Sequence, residues 1–213
     1  MRRRISSVYM AGLIENSYWR DFVAGEAHAF RMLYNYYADR LFTFGCRYCG
    51  DVDLVKDLIH DLFVDLHRYR LRLNPEVHVT AYLYRSLRRK ITAAGKKQQQ
   101  YTGLHPLLND EQPFLIEWDT EQTTIRNEEE AELMSRVADE VNKLPNRQQE
   151  ALYLRFTCEL DYDEVADIME VSVASCRTAV YRAIKTLREK LEETRISTQL
   201  FTILLLPSPI LRR

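Results

Sequence analysis

Apolar residues recur every three or four positions along most of this 213-residue chain, and alternating runs that would mark strands are nearly absent. That pattern requires amphipathic helices and leaves little room for a sheet. Phe30, Leu33, Tyr34, Tyr37, Leu41 and Phe44 keep the helical step, and Leu54, Leu58, Ile59, Leu62, Phe63 and Leu66 repeat it. Gly50, Asp51 and Asp53 lie between the two series and predict a helix end followed by a new start. A third helix is expected over 80–94, after the turn-forming Asn74-Pro75. These pieces make one all-helical domain over 17–97, preceded by an N-terminal extension, 1–16.

From Gln98-Gln99-Gln100 to about Asn127 the periodicity fades, and Gly103, Pro106, Asn109 and Pro113 appear among many acids. Residues 98–127 therefore read as an acidic flexible linker. Leu107, Leu108, Phe114, Leu115, Ile116 and Trp118 are more apolar anchors than a pure spacer needs, so the linker is expected to lie on something. Helical pattern resumes at Glu128, where Leu133, Val137, Val141 and Leu144 form a seam that Pro145 ends. A helix over 146–156 follows. Asp161 with Glu164 has the form of a capping box for a short helix to Met169, and Ser172 caps a longer one to about Leu191. Two helices across a tight turn, the second basic, have helix-turn-helix grammar. The fold class is thus all-α: two small helical domains, the second (128–193) with a helix-turn-helix, and an apolar C-terminal extension, 194–213.

The formal net charge is −1, so the chain as a whole is no polyanion binder, but the charge is ordered. Between Arg68 and Lys97 nine Lys or Arg face the single acid Glu76; between Tyr101 and Glu132 nine acids face Arg126; between Ser172 and Leu191 five basic residues face Glu189. A basic, acidic, basic order suggests two surfaces for polyanion and a segment between them that avoids it; solvated helix faces are the plainer alternative. Arg2, Arg3 and Arg4 resemble the start of a signal peptide, but Glu15 and Asn16 interrupt any apolar run behind them. The longest apolar stretch, Leu200 to Leu206, is far below the ~20 residues of a membrane span. Four Cys form no disulfide framework, and a cytoplasmic location is expected.

On the last helix, Ser172, Ala174, Ser175, Arg177, Thr178, Tyr181, Arg182 and Lys185 fall on one face, while Val173, Val180, Ile184, Leu187 and Leu191 are spaced to pack inward. Short polar side chains and Arg at the N-terminal turns suit base edges in a major groove, and later cations suit phosphates. Between Thr80 and Lys97, Tyr82 and Tyr84 are interleaved with Arg85, Arg88, Arg89, Lys90, Lys96 and Lys97, the mixture of rings and cations that single-stranded DNA favours. Each Tyr reads equally well as core. Asp57, Asp61 and Asp65 stand four apart on one helix face, as either solvated surface or half of an interface with a basic partner. Cys46 and Cys49 have CxxC spacing, but at a helix end and without two further ligands, so core packing is expected in place of a metal or redox site. Cys158 and Cys176 also read as core, Cys176 with DNA proximity left open. No nucleophile–base set and no phosphate-binding Gly loop appears, so neither an enzyme nor a cofactor is expected.

Several stretches together resemble the smallest members of the sigma-70 superfamily, the extracytoplasmic-function group. Residues 25–37 are similar to the opening of that group. Residues 57–67 resemble its polymerase-clamp helix, 144–150 and 162–166 its second domain, and 172–183 the helix that reads the −35 element. The resemblance spans about 17–193. It implies a sigma factor that binds core RNA polymerase, at the clamp through Asp57, His60, Asp61, Phe63, Val64 and Asp65 and at the flap through the second domain. It also implies that the stretch from Tyr82 to Lys97 melts and holds the −10 element, that the linker threads toward the RNA-exit channel, and that an anti-sigma factor is a further partner.

The sequence departs from the group at several places. His60 stands where Gln is usual, His67 where Trp is, Tyr82 for a frequent Trp, and Arg89 for a common Asn; Ala93 and Ala94 occupy the place of an expected acid, and Ala179 that of an Arg. Lost base contacts imply relaxed autonomous promoter reading and recruitment by a DNA-bound protein. The tail 194–213 is left open between own-domain packing, a partner site and disorder. The competing readings are a helix-turn-helix regulator that forms no polymerase holoenzyme, and a thiol oxidoreductase using Cys46 and Cys49.

Overall fold

The computed structural model describes residues 16–102 and 128–193, and all their regular elements are helical. The expected N-terminal extension, most of the acidic linker with its apolar anchors, and the C-terminal extension lie outside the described residues. The chain divides into two compact units, Met1–Leu104 and His105–Arg213.

The first unit holds α1 (16–24), α2 (Ala27–Cys46), α3 (Val52–Tyr69) and α4 (Val79–Thr102). Gly25 ends α1 at φ +110°, a conformation that needs glycine, and its N–H and that of Glu26 close back on the carbonyl of Asp21. The space beside it is filled by the Arg70 guanidinium, 3.3 Å from where a Cβ would stand. Asp51 caps α3 by accepting from the Leu54 N–H at 3.0 Å. Helices α2, α3 and α4 bury most of their expected stripes against one another, with Tyr34 left exposed. Leu33, Tyr37, Leu41, Phe44, Val55 and Leu62 meet Leu83, Leu87 and Ile91 in one core. At Gly45 an added Cβ would lie 2.6 Å from a Val55 methyl, so the α2–α3 approach requires glycine. Trp19 donates to the Asn74 carbonyl at 2.9 Å, and Arg20 pairs with Glu76 at 2.8 Å, so α1 fastens the loop before α4.

Helix α4 is longer than expected. It continues from Ala94 to Thr102 and takes in Gln98-Gln99-Gln100, which read as linker. Lys and Gln are good helix formers, and the single Gly95 costs only ~1 kcal/mol against Ala.

The second unit holds α5 (Glu128–Asn142), α6 (Asn146–Leu152, continued as a π turn over Tyr153–Thr157), α7 (Tyr162–Met169) and α8 (Val173–Glu193). Pro145 stands between α5 and α6, and buried Gln149 fastens that turn by donating to the carbonyls of Asn142 (3.1 Å) and Leu144 (2.7 Å). The capping box at α7 forms as the spacing predicts, with Glu164 accepting from the Asp161 N–H at 2.7 Å. Glu170, at φ 57°, reverses the chain, and the Ser172 hydroxyl accepts from the Ser175 N–H at 3.1 Å to start α8. That three-residue turn sets α7 and α8 as a helix-turn-helix, with Val165, Ile168, Cys176, Val180 and Leu187 in the core between them.

Candidate nucleic-acid interface

The two apolar stripes of α8 point into the second unit and leave one continuous face outside. Cys176, Val180, Ala183, Leu187 and Leu191 are buried, and Val173 and Ile184 are half-buried. Ser172, Ala174, Ser175, Arg177, Thr178, Tyr181, Arg182 and Lys185 are all exposed, Tyr181 by 68%. Their roles on that face differ. Ser172 Oγ is engaged with the Ser175 N–H and, at 2.8 Å, with the Ser175 hydroxyl. The Thr178 hydroxyl donates to the Ala174 carbonyl at 2.8 Å, and Lys185 lies 3.8 Å from Glu189. Burial pushes the Cys176 thiol up from 9.0, partly offset by Arg155 and Arg177, and Cys176 faces away from the open side of the helix.

Cations from neighbouring elements flank α8 on both sides. On one side Pro145, Arg147 and Gln148 at the start of α6 form a groove with Ala174, Ser175, Thr178, Ala179 and Arg182. On the other, Arg155 donates to the Leu160 carbonyl at 2.9 Å and lies 5.1 Å from the Tyr162 ring. Arg177 approaches the same ring at 5.4 Å. Sequence reading placed Arg147 and Tyr162 only within stretches that resemble the family's second domain, without a role for either, and did not name Arg155, since periodicity marks these elements only as packing.

In the first unit the expected strand-binding residues separate. Tyr84 is 3% exposed, with its ring 4.4 Å from that of Phe44, so it belongs to the core; the strand-contact expectation is corrected there. Tyr82 is half-buried against Trp19 at 5.4 Å. Arg89, Lys96 and Lys97 are exposed, whereas Arg85, Arg88 and Lys90 are partly covered. Arg88 lies 5.9 Å from the Tyr48 ring, and Lys90 donates to Asp65 at 2.6 Å. Sequence reading also missed the α2 pair in which Arg40 stacks on Tyr36 at 4.0 Å.

The expected polymerase face on α3 also divides. Asp57, His60, Asp61 and Val64 are exposed, beside exposed Tyr34 and Met32 of α2. Phe63 is 3% exposed, edge-on to Tyr34 (4.9 Å) and Phe30 (6.0 Å), so it supports the face from beneath and is corrected as a direct contact. Asp65 is taken by Lys90, with Arg68 at 4.0 Å. Cys49 is buried, and desolvation holds its thiol above its usual range. Among the described residues no cluster of His, Cys, Asp and Glu could hold a metal. No described helix is long and apolar enough to cross a membrane.

A two-unit helical chain with a basic helix-turn-helix defines a DNA-binding class, and the comparisons with known proteins narrow it. The family model of Sigma-70 region 2 matches residues 33–100, and that of Sigma-70, region 4 matches 135–187. The ECF RNA polymerase sigma-E factor of Haemophilus influenzae is 24% identical over 174 residues, covering 79% of this chain and 90% of that protein. Two solved structures share the fold. One is CnrH in complex with the cytosolic domain of CnrY (TM-score 0.53, 19% identity, 84% of this chain and 97% of that one). The other is the sigma factor RpoE from Bartonella quintana with the anti-sigma factor NepR (TM-score 0.54, 17% identity, 76% and 96%). The chain belongs to the sigma-70 family, as an extracytoplasmic-function sigma factor for transcription initiation.

Proposed function

We propose that this factor joins core RNA polymerase and carries it to promoters by reading duplex DNA with α8. The observation that carries the reading is the outer face of α8, where Arg177, Tyr181, Arg182 and Lys185 stand in solvent above a fully packed inner stripe. A helix held this way presents its N-terminal turns to a major groove, with Arg147 and Arg155 beside it for the flanking phosphates. On the first unit, Arg89, Lys96 and Lys97, with Arg85, Arg88 and the edge of Tyr82, form the track for the separated −10 strand. Asp57, His60, Asp61 and Val64 of α3, with Tyr34, form the clamp contact, and the second unit is the flap contact. The acidic segment within 98–127 joins the two units as linker.

The reaction chemistry is the polymerase's own; this chain supplies recognition. An anti-sigma factor is a partner by analogy with RpoE, whose structure includes one. Recruitment by a DNA-bound protein follows from Ala179, which leaves the recognition face one guanidinium short of the family pattern.

Co-purification with core polymerase, followed by transcription from duplex and premelted templates, tests this. Binding with activity on both templates is the result expected of a factor that reads DNA unaided. Activity on the premelted template alone supports recruitment. A well-folded chain that fails to bind core polymerase overturns the proposal in favour of a simple helix-turn-helix regulator.

A further inference from the structure

Arg177 projects from the first turns of α8 and makes no ion pair with any described residue; its guanidinium lies over the Tyr162 ring, 5.4 Å from the centroid. The same ring takes Arg155 at 5.1 Å, and Arg155 is itself anchored, its Nη1 donating to the Leu160 carbonyl at 2.9 Å. Tyr162 is the first residue of α7, fixed by the capping box of Asp161 and Glu164. An aromatic face attracts guanidinium through its quadrupole, and here one ring takes two. Two like charges on one ring repel each other, and the Arg155 Nε is buried without a partner. The arrangement is therefore net cationic and exposed on the Arg177 side, as an anion site should be, and an Arg resting on a ring face has less rotamer freedom left to lose on binding.

We propose that Tyr162 is a positioning residue for promoter recognition: its ring holds Arg177 in the orientation that meets DNA. This rests on the reading of α8 as the recognition helix. Neither the ring hydroxyl nor burial of Tyr162 is the operative property; the π face is.

The test uses full-length chain with core polymerase. A promoter sequence is first selected from a randomised duplex pool by the wild-type holoenzyme, and affinity for it is then measured across a salt series. Tyr162→Phe should bind as wild type. Tyr162→Leu and Tyr162→Ala should each lose roughly two- to fivefold, the size of one exposed cation–π contact. In an Arg177→Ala background the same Tyr162 changes should add nothing. Equal losses from Tyr162→Leu with and without Arg177 overturn the positioning role, as does wild-type affinity of Tyr162→Leu while Arg177→Ala binds weakly. If Arg177→Ala itself binds as wild type, the reading of α8 at this position fails instead, and the proposal with it. Urea unfolding of each variant separates a folding defect, and Tyr162→Leu keeps the apolar contact should Tyr162→Ala unfold.

Discussion

The positive charge of α8 stands in solvent, whereas part of that on α4 is worked into the packing. In the second unit Arg177 and Arg182 form no ion pair with a described residue, and the helix beneath them is closed by buried Cys176, Val180 and Ala183. In the first unit Lys90 is fixed to Asp65 at 2.6 Å, Arg88 is half-covered where Arg177 is exposed, and Tyr84 is sealed in the core. Cations left open are available to phosphate at once; cations engaged with their own protein must first exchange partners. On the proposed reading the difference suits two tasks, docking on an intact duplex and capturing a strand that appears only after melting.

The sharpest way to break this contrast is Tyr84→Ala. Removing a buried ring 4.4 Å from Phe44 should cost the first unit ~3–5 kcal/mol, read by urea unfolding. A small stability loss combined with weakened single-strand binding would return Tyr84 to the strand and make the two helices alike. Next in size, Arg177→Ala should leave stability unchanged and lower duplex affinity. It should remove about one unit of salt slope if it meets phosphate, or ~1–3 kcal/mol of discrimination if it meets a base edge. An unchanged affinity and slope would mean the open cation is idle.

The contrast also explains what the sequence made legible. On α8 the inner stripe is aliphatic or small and the outer face is polar or charged, so spacing alone separates core from surface, and all eight residues named for that face are exposed. The Asp161–Glu164 box and the Ser172 cap were equally legible, because capping is local chemistry. On α4 and α3 the residue types are amphipathic. Tyr buries its ring or shows it, and Tyr82 and Tyr84 do different things two positions apart. Phe63 and Asp65 sit within one turn of exposed Asp61 and Val64, yet one is core and the other is paired across helices. Which partner a side chain finds on another helix is tertiary information, and periodicity does not hold it. The place of Arg147, Arg155 and Tyr162 beside α8 was not legible for the same reason.

A finer probe asks whether every polar group on the α8 face is there for DNA. Ser172 Oγ is spent on the Ser175 N–H, so Ser172→Ala should destabilise the second unit by ~0.5–2 kcal/mol. Ser172→Asn should restore most of that, with duplex affinity per folded molecule unchanged in both. Affinity lost with stability intact would assign the hydroxyl to a base and enlarge the open face by one residue.

The smallest expected effect falls on the pair that ties α3 to α4. Asp65 and Lys90 are partly exposed, so a double-mutant cycle with Asp65→Asn and Lys90→Met should give a coupling of only ~0.2–1 kcal/mol in the free protein. The informative reading is on DNA. With its charge balanced by Asp65, Lys90 should contribute less to the salt slope for single-strand binding than exposed Lys97, so Lys90→Met should change that slope less than Lys97→Met does. Asp65→Asn leaves Lys90 uncompensated, and the slope should then steepen. If Lys90→Met and Lys97→Met reduce the slope equally, the ion pair opens freely when the strand arrives. The engaged cations of α4 would then be as available as those of α8, and the contrast between the helices would be one of geometry alone.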